Sequence, residues 1–116
     1  MKLIELAYFT DKLDEMAVYY EKFLKIDPIA KSEGMAIFML GDVKLFLHQN
    51  YLPKDGELPS ENHKAFEVRG LDSKMAELKE EGFKIEVEPK EYYWGYSAYL
   101  RDPDGYLLEL IENKNV

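Results

Sequence analysis

The strongest constraint on this chain is that one order of elements occurs twice along it. "LIELAYFT" is rich in apolar and aromatic residues and is bounded by Asp11, which predicts a strand. In "DKLDEMAVYYEKFLKI" the apolar residues Leu13, Met16, Ala17, Tyr20, Phe23 and Leu24 recur at helical spacing. Thr10 or Asp11 is expected to cap that helix, and Asp27-Pro28 to end it. "IAKSE" reads as a short strand. "MAIFML" and "VKLFLHQ" flank Gly41-Asp42 and read as a hairpin. The order then starts again: "HKAFEVRG" as a strand, "LDSKMAELKEEG" as a helix, "FKIEVEPK" as a strand, "YSAYLR-DPDG-YLLELIE" as a hairpin. Asp72 or Ser73 is the expected cap of the second helix and Gly82 its stop. A repeat of this kind describes the chain better than any single residue does. It predicts one α+β domain over residues 1–116, with a first module at 1–49, a linker at 50–62 ("NYLPKDGELPSEN") and a second module at 63–116. One helix per module covers a single sheet face. The other face is left to line a cavity or meet a partner.

Composition narrows the function. Of the 116 residues, 23 are acidic and 15 are Lys or Arg, giving a formal net charge of −8. Nucleic acid is therefore not an expected partner, because phosphate binding needs a basic surface. A neutral, cationic or metal-bound ligand is compatible with this charge. The chain has no cysteine, so disulfides, thiolate metal sites and cysteine nucleophiles are excluded. No apolar run approaches the roughly 18 residues of a membrane helix, and "MKLIELAYFT" is too short and mixed for a signal peptide. The expectation is a cytoplasmic protein without a membrane partner.

Three segments carry a family resemblance: "YYEKFL", "HKAFEVRGLDSKMAELKEEGF" and "RDPDGYLLEL". With them the chain resembles the vicinal oxygen chelate superfamily, which includes glyoxalase I, fosfomycin-resistance thiol transferases, extradiol dioxygenases and bleomycin-resistance proteins. The first half matches more loosely, since the family usually has Gly after the helix where Lys25 follows Leu24. The resemblance implies two βαβββ modules forming a cup-shaped, incomplete barrel. Metal ligands there come from the first and last strands of each module. A gapless count from Tyr20 places Glu5 at the first module's opening position, with His63 at the matching place and Glu109 at the closing position of the second module. The first module's closing position falls on Phe46. The implied ligand set is Glu5, His63 and Glu109, holding zinc, iron(II), manganese or nickel.

Strand parity supports the same set. If Glu109 faces the cavity, Leu108 and Leu110 face the core; if His63 does, Phe66 and Val68 face the core; if Glu5 does, Ile4, Leu6 and Tyr8 face the core. A one-residue slip would bury each polar group among packed side chains. The competing readings are ordinary ones: His63 as a surface residue at a strand start, Glu109 as a solvent-facing residue of an edge strand. Phe9, Phe38, Phe46, Glu67, Trp94, Tyr99 and Arg101 are the expected pocket residues, with Trp94 at its mouth beside Gly95. Glu109, with Tyr99 or His48 assisting proton transfer, is the expected catalytic group.

The resemblance selects no single activity. Glyoxalase I generally carries a carboxylate where Phe46 stands, the fosfomycin transferases begin with histidine where Glu5 stands, and extradiol dioxygenases use two histidines and one carboxylate. Two functions are expected from this pattern. One is a metal-dependent enzyme on a small oxygenated molecule, of lyase, isomerase, thiol-transferase or dioxygenase type. The other is a metal-free binding protein of bleomycin-resistance type, taking a cationic or aromatic ligand. A dimeric scaffold with an empty cup is the third and plainest reading. The resemblance also implies a homodimer.

Overall fold

A computed structural model describes residues 1–54, 58 and 60–113. The fold is α+β, with eight strands and two helices among the described residues. Backbone contacts divide it into two compact units, Glu5–Asn62 and Met1–Ile4 with His63–Val116. Among the described residues no helix is long and apolar enough to cross a membrane.

The first unit contains β1 (Lys2–Thr10, from Glu5 onward), α1 (Leu13–Leu24), β2 (Ala30–Lys31), β3 (Met35–Leu40) and β4 (Val43–Gln49). Strands pair in the order β2-β3-β4-β1, antiparallel except for the parallel β1–β4 ladder. Leu13 and Ala17 of α1 are buried against Ala36, Phe38, Leu45 and Leu47 of the sheet. Two residues depart from expectation. Phe38 was expected on the open face with Phe46. The Gly41-Asp42 turn, however, sets a register that pairs Phe38 with Leu45 and Ile37 with Phe46. Phe38 therefore shares the face of Leu45 and is fully buried under α1. Phe23 was counted in the apolar stripe of α1, yet it is 68% exposed and stacks on Tyr19 at 6.1 Å.

The helix ends differ as well. Lys12, not Thr10 or Asp11, is the residue before α1, and it makes no side-chain cap. The Thr10 hydroxyl instead accepts the Lys12 N–H, and Asp11 accepts from Asn50. Lys25 ends α1 ahead of Asp27-Pro28. It has φ 57°, the left-handed region, and is the one non-glycine residue there among the described residues. A Cβ in that region costs about 1–2 kcal/mol, which is why glycine is the usual choice.

The second unit contains β5 (His63–Val68), α2 (Leu71–Glu80), β6 (Ile85–Tyr92), β7 (Gly95–Arg101) and β8 (Leu107–Glu112). Its strands pair in the order β5-β8-β7-β6, with a parallel β5–β8 ladder. Leu71, Met75 and Leu78 of α2 pack against Val68, Ala98, Leu100 and Leu110, with Phe66 and Ile85 at the margin. Neither Asp72 nor Ser73 caps α2. The Leu71 N–H is accepted by Glu112 Oε1 at 3.0 Å, so β8 supplies the capping oxygen. Gly82 does stop the helix: its φ is 92°, and Phe83 N–H returns to Leu78 O. In the DPDG turn, Asp102 Oδ1 accepts the N–H groups of Asp104 and Tyr106. This fixes the register in which Tyr99 faces Glu109 across the β7–β8 ladder.

The two ladders repeat in detail. In the first unit Ala7 pairs with Phe46; in the second Ala65 pairs with Glu109. Glu5 and His63 each stand two residues before that alanine. The pairings, each taken within its own unit, thus assign Glu5 to the place of His63 and Phe46 to the place of Glu109.

Candidate functional site

The second unit gathers a polar group on the sheet face opposite α2. Side chains alternate along each strand, so Leu110 points to the helix and Glu109 away from it. Glu109 is 4% exposed, which removes the reading of a solvent-facing edge residue. A carboxylate so buried needs donors, and three are present. His63 Nε2 lies 3.2 Å from Oε1. The Ser97 hydroxyl donates to Oε2 at 2.8 Å, and the Trp94 indole N–H donates to the same oxygen at 3.0 Å. Among the described residues, every buried side-chain nitrogen and oxygen has a partner.

Burial alone would raise the Glu109 carboxyl, but the hydrogen bonds from His63 and Ser97, the charge of His63 and the Trp94 N–H outweigh it. The group is held below its ordinary value. It is an anion at neutral pH, inside an aromatic wall. Tyr92 and Trp94 stack at 4.4 Å with planes 8° apart, and Tyr93 meets Trp94 edge-on. Tyr99 meets both His63 and Tyr92 edge-on, at 6.2 and 6.0 Å. Burial, then the Glu109 charge, pushes the Tyr92 phenol up.

The other expected site residues are distributed as follows. Glu67 shares the face of His63 but accepts a hydrogen bond from Asn113. Arg101 reaches the Gly105 carbonyl and Glu86, so it serves the β7–β8 turn and β6. Glu5 lies in the first unit, on β1 opposite Lys44. Phe9, Phe46 and His48 also belong to that unit, where they form a ring cluster with Tyr51. There His48 Nδ1 lies 2.7 Å from the Gln49 carbonyl, which makes Nδ1 the protonated nitrogen.

The family model for the glyoxalase/bleomycin resistance protein/dioxygenase superfamily matches residues 2–110. The chain belongs to this superfamily. No curated protein matches it. Solved structures share the superfamily fold at low identity. Hypothetical protein BH1468 from Bacillus halodurans C-125 is 21% identical, with 99% of this chain and 96% of that one covered and a TM-score of 0.77. Methylmalonyl-CoA epimerase from Mycobacterium tuberculosis is 16% identical, covering 96% and 87%, with a TM-score of 0.69. The Mn(II)-bound glyoxalase from Novosphingobium aromaticivorans is 20% identical, covering 96% of this chain and 38% of that one, with a TM-score of 0.65.

Within this superfamily fold, sequence reading missed Ser97 and Tyr92 and gave Trp94 only a place at a pocket mouth. Ser97 shares strand parity with Tyr99, so its face was legible. Its bond to Glu109 depends on the diagonal across the β7–β8 ladder, which the sequence does not display. Trp94 depends on β6, whose pairing with β7 shifts between Ile85 and Val87 and again between Val87 and Lys90.

Proposed function

We propose that this protein is a divalent-metal-dependent enzyme acting on a small oxygenated molecule, with Glu5, His63 and Glu109 as the protein ligands. The observation that carries the reading is the His63–Glu109 pair: a buried, ionised carboxylate oxygen 3.2 Å from an imidazole nitrogen. Two ligands bonded to one ion at about 2.0–2.2 Å stand roughly 3 Å apart, so the pair has the spacing of adjacent ligands. Hard oxygen and imidazole nitrogen suit zinc, iron(II), manganese and nickel alike. The matching places of Glu5 and His63 in the two ladders support Glu5 as the third ligand. Two carboxylates and a neutral imidazole balance a divalent charge.

When bound, such an ion supplies Lewis acidity to adjacent substrate oxygens. The chain's own residues do the rest. Ser97 and Trp94 hold the carboxylate in place. Tyr92, Trp94 and Tyr99 present an aromatic wall that excludes water and orients an apolar or planar substrate. Tyr99, beside Glu109 in the ladder, and His48 are the groups proposed to move protons. A homodimer, as the resemblance implies, working in the cytoplasm completes the proposal; light scattering should give twice the 13.6 kDa of one chain.

Metal analysis of protein purified without chelator tests the reading. Bound zinc, iron, manganese or nickel that disappears in His63→Ala and Glu109→Gln is the expected result. Metal-free protein that also fails to take up any of these ions on addition would end it.

The stacked Tyr92–Trp94 pair beside an anionic carboxylate favours a second reading, a metal-free binding protein for cationic aromatic molecules. Thermal-shift screening separates the two. Planar amines should raise the melting temperature under the second reading, and divalent ions under the first.

A further inference from the structure

Glu109 has two oxygens, and the structure treats them differently. Oε2 accepts both the Ser97 O–H and the Trp94 N–H, while Oε1 faces only His63 Nε2 among the hydrogen bonds that Glu109 makes within its unit. The geometry points to Trp94 and Ser97 as positioning residues that occupy Oε2 and leave Oε1 as the single ligating oxygen. This inference rests on the metal reading above.

Both donors are themselves held in place. Trp94 sits in the two-residue turn that joins Tyr92 to its ladder partner Gly95. Stacking on Tyr92 orients the plane of the indole, and therefore the direction of its N–H. Gly95 follows with φ 146°, and a Cβ there would approach Ile111 Cδ1 to 3.3 Å, so the turn enters β7 over the Ile111 side chain. Ser97 is fully buried and pairs with Ile111 in the ladder, one step along the same face from Tyr99 and its partner Glu109. Its hydroxyl reaches Oε2 at 2.8 Å. Two donors on one oxygen lower the basicity of that oxygen and stop the carboxylate from rotating. An approaching cation is thereby directed to Oε1 and His63, in a one-oxygen mode, as outer hydrogen bonds commonly do for metal-ligating carboxylates.

Cobalt(II) is the probe, because its visible absorption reports coordination, and Trp94→Phe keeps the stack on Tyr92 while removing the N–H. Trp94→Phe and Ser97→Ala should each weaken cobalt binding by roughly 10-fold. Each should alter the visible spectrum. Affinity and spectrum equal to wild type in both variants would overturn the assignment. A second readout needs no metal. The chain has one tryptophan, so a single indole N–H resonance reports Trp94. That resonance should move in Glu109→Gln; if it does not, the positioning role fails whatever the metal does. If wild type binds no cobalt while the resonance does move, it is the metal reading that fails.

Discussion

The two units share an architecture and differ at the one place where chemistry is expected. In each, a parallel ladder sets an alanine against the closing position, and a helix packs on the opposite face. In the second unit the closing position is Glu109, with Ser97 and Trp94 donating to it. In the first it is Phe46, stacked on His48 at 5.6 Å. The antiparallel ladders extend the comparison. Tyr99 faces Glu109 as Ile37 faces Phe46, and Ser97 faces Ile111 as Met35 faces His48. The hydroxyl that holds the carboxylate in one unit is thus replaced by a thioether side chain in the other. The frame is duplicated, but the donors needed to keep a buried charge are not. A carboxylate buried at this position requires its neighbours, and the first unit has Phe46 in place of the carboxylate and Met35 in place of the hydroxyl.

Substitutions at equivalent places can break this comparison. The largest effect is expected where the units agree. Phe38 is fully buried beneath α1, in the ladder place that Leu100 holds beneath α2. Phe38→Ala should destabilise the protein by about 3–5 kcal/mol and Leu100→Ala by about 2–5 kcal/mol in urea unfolding. A cost below about 1 kcal/mol for Phe38→Ala would mean that the first core is not packed as described. The next effect is expected where the units differ. Phe46→Glu places a carboxylate in the position of Glu109, without the Ser97 hydroxyl. Phe46 is half-buried, so the cost should be about 1 kcal/mol, from partial desolvation of an unsupported polar group. An equally stable variant would show that a carboxylate at the first unit's closing position stays hydrated without donors.

The pH dependence gives a third, smaller contrast. Glu109 is depressed below its ordinary value of 4.5. Its contribution to stability is therefore complete above the unfolded carboxyl value and is lost as pH falls through the lower folded value. Glu109→Gln should flatten the loss of stability below about pH 4.5, whereas Phe46→Leu should leave it unchanged. Identical acid limbs in both variants would contradict the assigned ionisation. The smallest effect lies at the end of α1. Lys25→Gly relieves a left-handed backbone and should stabilise by about 0.5–1 kcal/mol. The corresponding helix end in the second unit already has Gly82.

The same comparison shows what the sequence could and could not disclose. Module order, both hairpins and the faces of His63 and Glu109 followed from strand alternation and turn residues, which act over a few neighbouring positions. Phe38 was misplaced because the face of a strand across a hairpin depends on how many residues the turn consumes. Phe23 fits a helical stripe, but it lies at the edge of that stripe, stacked on the likewise exposed Tyr19 and not on the sheet. The cap of α2 comes from Glu112, 41 positions away, so no local signal could name it. Trp94 and Ser97 reach Glu109 through bulged and diagonal pairings, which tertiary structure alone fixes.

The most direct test of the central claim, the proposal that the carboxylate at the second unit's closing position, Glu109, is required for metal binding, is equilibrium dialysis against manganese(II). It compares wild type with two variants at equivalent ladder positions, Glu109→Gln and Phe46→Leu. The account predicts that wild type and Phe46→Leu bind one ion per chain with similar affinity and that Glu109→Gln binds none. Equal binding by Glu109→Gln and wild type, or loss of binding in Phe46→Leu alone, would contradict it.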